Sequence, residues 1–564
     1  MAYDLLIKNG TVVDGSGLAR YRADVAVQDG KIAAIGRMKG VAAKEEIDAD
    51  GHIVSPGFVD GHTHMDAQIF WDPIGSCSCY HGVTTVVMGN CGFTLAPCRE
   101  AEADLVFRNL ERAEDLSPAA MRAGIKWRWE TFPEYLDVLD SLPKGINYSG
   151  YVGHSALRTY VMGERAFSEA ATDDDLVKIT AEVRAALKAG AIGVSTTRSR
   201  THETSDNRPV ASRLADWREI EAIVGTMSDI NAGIFQIAPQ REIGPEYIEP
   251  LKDLAIRSGR TVTMGVTCTL SNPTEWESAL AGMEAASHDG GRMFAQVHAR
   301  EIAILISFET NLPWDHWTMW REWRKQPLEK QKADLGDPSI RAKLVEIASA
   351  PYDGPPVYGA AGRPPTWEWI FPFYSTKGGR AKSIAHMAKE QGKNPVDVFI
   401  DESLKHDLKL FFRDVAVNGD QDEVLKMMKH PRAVVTFSDS GAHVSQIMDS
   451  SIQTHLLSHW VREKQAFTLE EAVRKITYDT ASHWGFSDRG LLREGLAADL
   501  CIFNADMIGA KMPEARHDLP SGAPRLFQGA EGILATVVNG QTMIRNGAPT
   551  GNLPGKLLRA KLPG

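Results

Sequence analysis

The chain has 564 residues, 43% of them hydrophobic and 24% charged, with a formal net charge of -11. That length exceeds one ordinary domain and allows a large core with attached modules. The negative balance argues against nucleic acid or an anionic membrane surface as partner, and no apolar run approaches the length of a membrane span.

The N-terminal segment MAYDLLIKNGTVVDG places acidic residues and turn signals where a secretory signal needs a basic and then an apolar run. Six cysteines are too sparse for a disulfide framework in a chain of this length, so a reduced, cytoplasmic setting is expected. Residues 1–55 alternate short β-rich runs with NG and DG turns, the pattern of a small antiparallel module. Residues 489–564 repeat that style in DRGLLREGLAADLCIFNAD and GILATVVNGQTMIRNG, so the two ends are expected to build one β-sandwich domain together.

Between them, over 56–488, short apolar strands alternate with amphipathic helices. The predicted strands are SPGFVDGHTH, TTVVMGNCG, INYSGYVGH, AIGVSTTR, GIFQIAP, TVTMGVT, MFAQVHA and AVVTFSDSGAH. The helices show most clearly in DDDLVKITAEVRAALKAG, with an acidic first turn and a glycine stop, and in LADWREIEAIVGTMSDINAG. This succession predicts an α/β fold, a (β/α)8 TIM barrel whose chemistry sits at the C-terminal ends of its strands; a purely structural α/β layer fold is the alternative. A long insertion at about 300–420 interrupts the rhythm, and in it Trp314, Trp317, Trp320 and Trp323 recur every three residues. That spacing reads either as the core stripe of a helix or as an aromatic, lid-like cover over an apolar substrate.

The strand ends carry polar residues that a packed barrel does not need: His62 and His64, Cys91, His154, His298 and Asp439. His62 and His64 are one residue apart after an apolar run, so on a strand both rings face one side and can reach one metal ion. Taken alone, such a pair reads as readily as two ordinary polar residues at a strand end. Imidazole, thiolate and carboxylate together are the ligands zinc takes, and a zinc-bound water loses its proton near neutral pH. Asp439 in TFSDSGAH is placed to accept that proton and pass it to a leaving group.

GFVDGHTHMD, GNCGF, YVGHSALR, SDSGAHV and DRGLLREGLAADLCIFN, in that order, resemble the amidohydrolase superfamily, and within it the N-acyl-D-amino-acid deacylase (D-aminoacylase) branch. The resemblance runs over nearly the whole chain. It implies a zinc-dependent hydrolase of small amides, with metal contacts from His62, His64, Cys91 and Asp439 and the general base and acid role for Asp439. It also implies one or two zinc ions, or another divalent metal, and leaves a homo-oligomer open. Members with a tight zinc site have histidines near the ends of strands five and six, where this chain has FQIAPQ and TMGVTCT. His202, just past strand four, is the first candidate substitute ligand. His154, Arg158, Arg198 and His298 are candidates for holding substrate, with Arg200 as a further cation near strand four. The expected reaction is deacylation of an N-acyl (D-)amino acid or related small amide bearing an apolar or aromatic group. Hydrolysis of a cyclic amide, carbamate or lactone is the alternative, although strand four lacks the lysine of hydantoin-type members. A non-catalytic scaffold is the remaining reading.

Overall fold

The computed structural model describes residues 2–240, 243–351 and 364–562, so residues 352–363 of the insertion lie outside the described residues. Its centre is an eight-stranded sheet of β1 (Phe58–Asp60), β2 (Val83–Met88), β3 (Asn147–Gly153), β4 (Gly193–Thr197), β5 (Ile234–Ala238), β6 (Thr261–Val266), β7 (Arg292–Val297) and β8 (Ala433–Val435). Each strand pairs in parallel with the next. Just past the strand ends, Thr63 bridges Ser440 in parallel, the His64 amide donates to Ser440 O at 2.7 Å, and the Asp439 amide donates to His62 O at 3.2 Å. These bonds join the first strand to the last, and the fold is a (β/α)8 barrel with an added β-domain drawn from both termini.

Parallel strands covered on both faces need apolar or small residues throughout, and β2, β3, β4 and β5 are buried along their whole length. The helices are set by local signals. In helix Asp173–Ala189, Thr172 and Asp175 form a reciprocal cap at the start and Gly190, at φ 111°, ends it. Helix Trp217–Asp229 starts from Asp216, whose side chain accepts from the Glu219 amide.

The terminal strands form one nine-stranded sheet, in which Leu500–Phe503 pairs antiparallel with Ile53–Pro56 and so joins the two ends of the chain. The N-terminal module is mixed rather than wholly antiparallel, because Tyr3–Val12 pairs in parallel with both Ala43–Asp48 and Ile53–Pro56. After the sheet the chain returns to the barrel, where the Leu558 amide donates to Tyr148 O of β3 at 2.7 Å.

The insertion builds its own small layer. Strands Ile302–Ile306, Phe412–Val417 and Ile370–Pro372 form a three-stranded antiparallel sheet, with helices that include Thr318–Arg324 and Pro395–Lys405. The expectation of an aromatic cover is overturned here. Trp314 and Trp320 are fully buried in the insertion's own core with Trp323, Phe399 and Phe412, and Trp314 meets Phe399 edge to face at 5.3 Å. Only Trp320 and Trp323 lie on the helix, and their indole N–H groups donate to Leu344 O and Asp334. The buried aromatic side chains give the insertion a hydrophobic cluster of its own. Its sheet meets the loop after β8 through Leu305, Phe373, Phe411 and Met448, so it buttresses that loop. No helix among the described residues is long and apolar enough to cross a membrane.

Candidate metal centre at the barrel mouth

The two histidines lie beyond the end of β1, in a segment stitched between the first and last strands. Asp60 Oδ1 accepts from the His62 amide at 3.1 Å and from Thr436 Oγ1 at 2.9 Å, while Thr436 Oγ1 accepts from the Gly61 amide. Gly61 is required by packing, since a Cβ there would sit 2.4 Å from the Trp484 ring. Gly441 is required on both counts: its φ is +94° and a Cβ would meet His64 O at 2.5 Å.

The rings converge. His62 Nδ1 donates to Gln296 Oε1 on β7, which leaves Nε2 with its lone pair facing Asp439 Oδ1 at 3.2 Å and Cys91 Sγ at 3.4 Å. His64 Nε2 lies 3.5 Å from Asp439 Oδ1, and neither of its ring nitrogens has a hydrogen-bond partner. Cys91 is held by its amide, which donates to Gln236 Oε1 on β5 at 2.7 Å. Cys91, Phe437, Asp439 and His443 all adopt left-handed backbone, at φ 58°, 83°, 52° and 47°. Such conformations cost roughly 1–3 kcal/mol each and persist where the surroundings enforce them.

The donor set fits a metal ion. Ligand atoms of His62, His64 and Cys91 lie within 4.8 Å of one another, and all three residues are buried. Ligands about 2.0–2.3 Å from a tetrahedral zinc stand about 3.3–3.8 Å apart, the range of the separations to Asp439 and Cys91. Buried Asp439 Oδ1 and His64 Nε2 without hydrogen bonds are the polar atoms a cation would satisfy. Desolvation pushes the Asp439 carboxyl up, but the close approach and charges of His62 and His64 outweigh it and hold that carboxyl well below its usual range. Burial, reinforced by Glu114 and Asp439, pushes the Cys91 thiol well above its ordinary value, so only a bound cation would draw out the thiolate.

The remaining candidates fall elsewhere. His202 does not join this group among the described residues: its Nδ1 bonds Thr197 Oγ1 at 2.8 Å and its ring lies 5.2 Å from Phe93, behind His64. The assignment of His154 and Arg158 to substrate is corrected. Both are fully buried and share one carboxylate, that of Glu219, with His154 Nε2 at 2.8 Å and Arg158 Nη1 on the other oxygen. His154 opens a helix directly after β3, which turns its ring away from the barrel mouth and onto Thr196 Oγ1. Arg198 is half-buried at the end of β4 with one guanidinium N–H on Arg213 O, whereas Arg200 is exposed. His298 is buried with Nδ1 on Arg300 O and Nε2 3.6 Å from Asp449, whose other oxygen pairs with Arg300 at 3.0 Å. Asp439 and Asp449 line one cavity of about 20 Å³, room for a single water. At the end of β6, Cys268 Sγ turns to Asp420 O, away from this group. All six cysteines are free and buried.

Sequence reasoning missed Gln236, Gln296 and Asp449. The two glutamines did leave a signal: each is a lone amide in an otherwise apolar strand, in IFQIA and MFAQV.

The profile of the amidohydrolase family matches residues 45–544. D-aminoacylase from Alcaligenes xylosoxydans xylosoxydans is 28% identical over 99% of this chain and 97% of its own length. N-acyl-D-aspartate deacylase from the same organism is 27% identical, covering 98% and 95%. The crystal structure of N-acyl-D-glutamate deacylase from Bordetella bronchiseptica, complexed with zinc and a phosphonate inhibitor that mimics the tetrahedral intermediate, superposes with a TM-score of 0.66 at 25% identity, covering 99% of this chain and all of that one. With the profile spanning most of its length, this chain belongs to the amidohydrolase family.

Proposed function

We propose that the protein is a metal-dependent deacylase that hydrolyses the C–N amide bond of an N-acylated amino acid. The observation that carries this reading is the cluster of His62, His64 and Cys91, whose ligand atoms lie within 4.8 Å of one another at the barrel mouth, with Asp439 Oδ1 beside both histidines. A zinc ion held there supplies a Lewis acid for the amide carbonyl and acidifies a water. His62 and His64 orient the site, with the Gln296 bond fixing which nitrogen of His62 faces inward. Asp439 accepts the proton of the attacking water and returns it to the departing amine nitrogen. Arg198 is the cation for the substrate carboxylate, since no described carboxylate pairs with its half-buried guanidinium. The D-preference follows the relatives named above, D-aminoacylase and N-acyl-D-aspartate deacylase.

The acyl group has a place other than the tryptophan-rich insertion. A cavity of about 600 Å³ is lined by Trp71, Leu116, Met121, Val444, Leu519 and Pro524. Val444 also lines the small cavity at Asp439, so the loop after β8 divides the two spaces. Val444→Trp should raise KM for an N-octanoyl substrate roughly tenfold relative to its N-acetyl analogue, about the discrimination one or two methylene contacts supply. Equal KM changes for the two substrates would place the acyl group elsewhere.

The test of the reading is elemental analysis of the purified protein together with hydrolysis of N-acyl-D- and N-acyl-L-amino acids, a hydantoin and a lactone. Bound zinc with turnover of the N-acyl-D series is the expected result. Turnover of only the hydantoin or the lactone would overturn the substrate class, and metal-free protein that zinc does not activate would overturn the hydrolase.

A further inference from the structure

Strands Glu514–Arg516 and Arg525–Phe527 form an antiparallel hairpin that stands apart from the nine-stranded sheet of the terminal β-domain. Its loop, residues 517–524, is longer than a plain hairpin turn, and such loops on a rigid scaffold often carry function. The loop reaches the barrel mouth, where Leu519, Ala523 and Pro524 form one wall of the cavity of about 600 Å³. The next two residues, Arg525 and Leu526, line the small cavity that Asp439 also lines. A segment of the terminal domain therefore borders both spaces.

The hairpin is fixed in that position. Arg525 donates through Nε and Nη2 to Asp518 Oδ1 and Oδ2 at 2.6 and 2.9 Å, a fork that clamps the loop to its own stem, and through Nη1 to Ser76 Oγ at 3.0 Å. The Leu526 amide donates to Val444 O at 2.7 Å, which ties the stem to the loop after β8. Helix Pro118–Gly124 packs against the hairpin tip. A Cβ on Gly124 would meet the Trp71 ring at 2.4 Å and Pro520 at 2.9 Å, so helix and tip close together beside Trp71.

Where it is free, the cavity wall is largely apolar. Asp115 accepts from the Ser445 amide and hydroxyl, and Arg112 donates to Asn207 Oδ1 at 2.6 Å, so these charges are already engaged. Trp71, Leu116, Met121, Val444 and Leu519 remain to meet a ligand. The volume falls in the range, about 300–1,000 Å³, that encloses a drug-sized ligand. An acetyl group would leave most of that space to water, whereas a longer chain would set apolar surface against apolar wall.

We propose that the substrate carries a medium-chain acyl group rather than an acetyl group, and that loop 517–524 of the terminal domain sets the length accepted. This rests on the deacylase reading and its placement of the acyl group.

The test assays the holoenzyme on one D-amino acid carrying an acetyl, butanoyl, hexanoyl or octanoyl group. The value of kcat/KM should climb with length and be at least roughly 10²-fold higher for octanoyl than for acetyl, since each methylene buried contributes about fourfold. Ala523→Trp, at a half-buried position of the loop, should cut the octanoyl-to-acetyl ratio by roughly tenfold or more, through KM rather than kcat. Leu519→Arg, also half-buried, should cut it in the same direction. Calorimetry with the released acids reads the pocket without catalysis: octanoate should bind at least roughly tenfold more tightly than acetate, and the difference should shrink in both variants. Circular dichroism checks that each variant is folded, and either one alone suffices. A flat or falling length profile would overturn the medium-chain substrate. A rising profile that the folded variants leave unchanged would overturn the role of the hairpin, and in both cases the deacylase stands. If no member of the series is hydrolysed, the deacylase reading fails and the acyl-length reading falls with it.

Discussion

Asp439→Asn should lower kcat for amide hydrolysis by roughly 10³-fold while the protein keeps its fold and its metal, since a positioned base and acid contributes about 10²–10⁴-fold. The substitution preserves shape. Asparagine accepts left-handed backbone as readily as aspartate, and Asp439 is anchored by its amide to His62 O and by its carbonyl to the Ala442 amide, bonds the side chain does not make. What is lost is an ionised oxygen, Oδ1, that lies 3.2 Å from His62 Nε2 and 3.5 Å from His64 Nε2. Steady-state kcat and metal content measured on the same preparation check the result. A kcat within tenfold of wild type would mean that another group carries the proton. Asp449 is the one to replace next, because it lines the same cavity and burial pushes its carboxyl up to about 7.

The barrel was legible because parallel strands covered on both faces must be short apolar runs, and because the helices between them announce their caps, as at Thr172 and Gly190. The residues proposed to hold the metal, His62, His64, Cys91 and Asp439, could be read as candidates because they stand at strand ends. The approach of Glu114 to His64 was not legible, because ERAEDL reads as a solvated charge run and only tertiary packing brings the two together. The strand-end rule misled at His154 and Arg158. It locates a residue along the barrel axis but not the direction of its side chain, and their partner Glu219 comes from a helix more than sixty residues later in the sequence. The tryptophans show the same limit from the other side. Their spacing marks a buried face, but which core they fill depends on Phe399 and Phe412, which follow a long stretch of intervening chain.

Removing the Glu219 carboxylate should destabilise the barrel by roughly 3–5 kcal/mol, the usual cost of stripping one partner from a buried ion pair. Glu219, His154 and Arg158 are all fully buried, and Arg158 also donates to Glu169 O at 2.6 Å. Glu219→Ala leaves the guanidinium charged with no counterion, whereas Glu219→Met combined with Arg158→Met removes both charges and should cost much less than the two single changes summed. The trio also sets an acid limit. Burial alone would raise the Glu219 carboxyl, but the His154 bond and the charges of His154 and Arg158 outweigh it and hold it below its ordinary value; burial lowers His154 despite Glu219. Both groups bind protons more readily when unfolded, so their stabilisation is present above pH 6.5, the ordinary value for histidine, and is lost first through His154 and then through Glu219 as the pH falls below 4.5. Thermal midpoints recorded from pH 7.5 to 4 should therefore fall more steeply for wild type than for the Met–Met variant that also carries His154→Leu, which has none of the three ionisable groups. Equal slopes would remove the trio from the acid limit. Kinetics on Arg158→Met distinguish the roles: with a structural role, KM below the melting range stays near wild type, whereas a large rise in KM with an unchanged thermal midpoint would return Arg158 to the substrate.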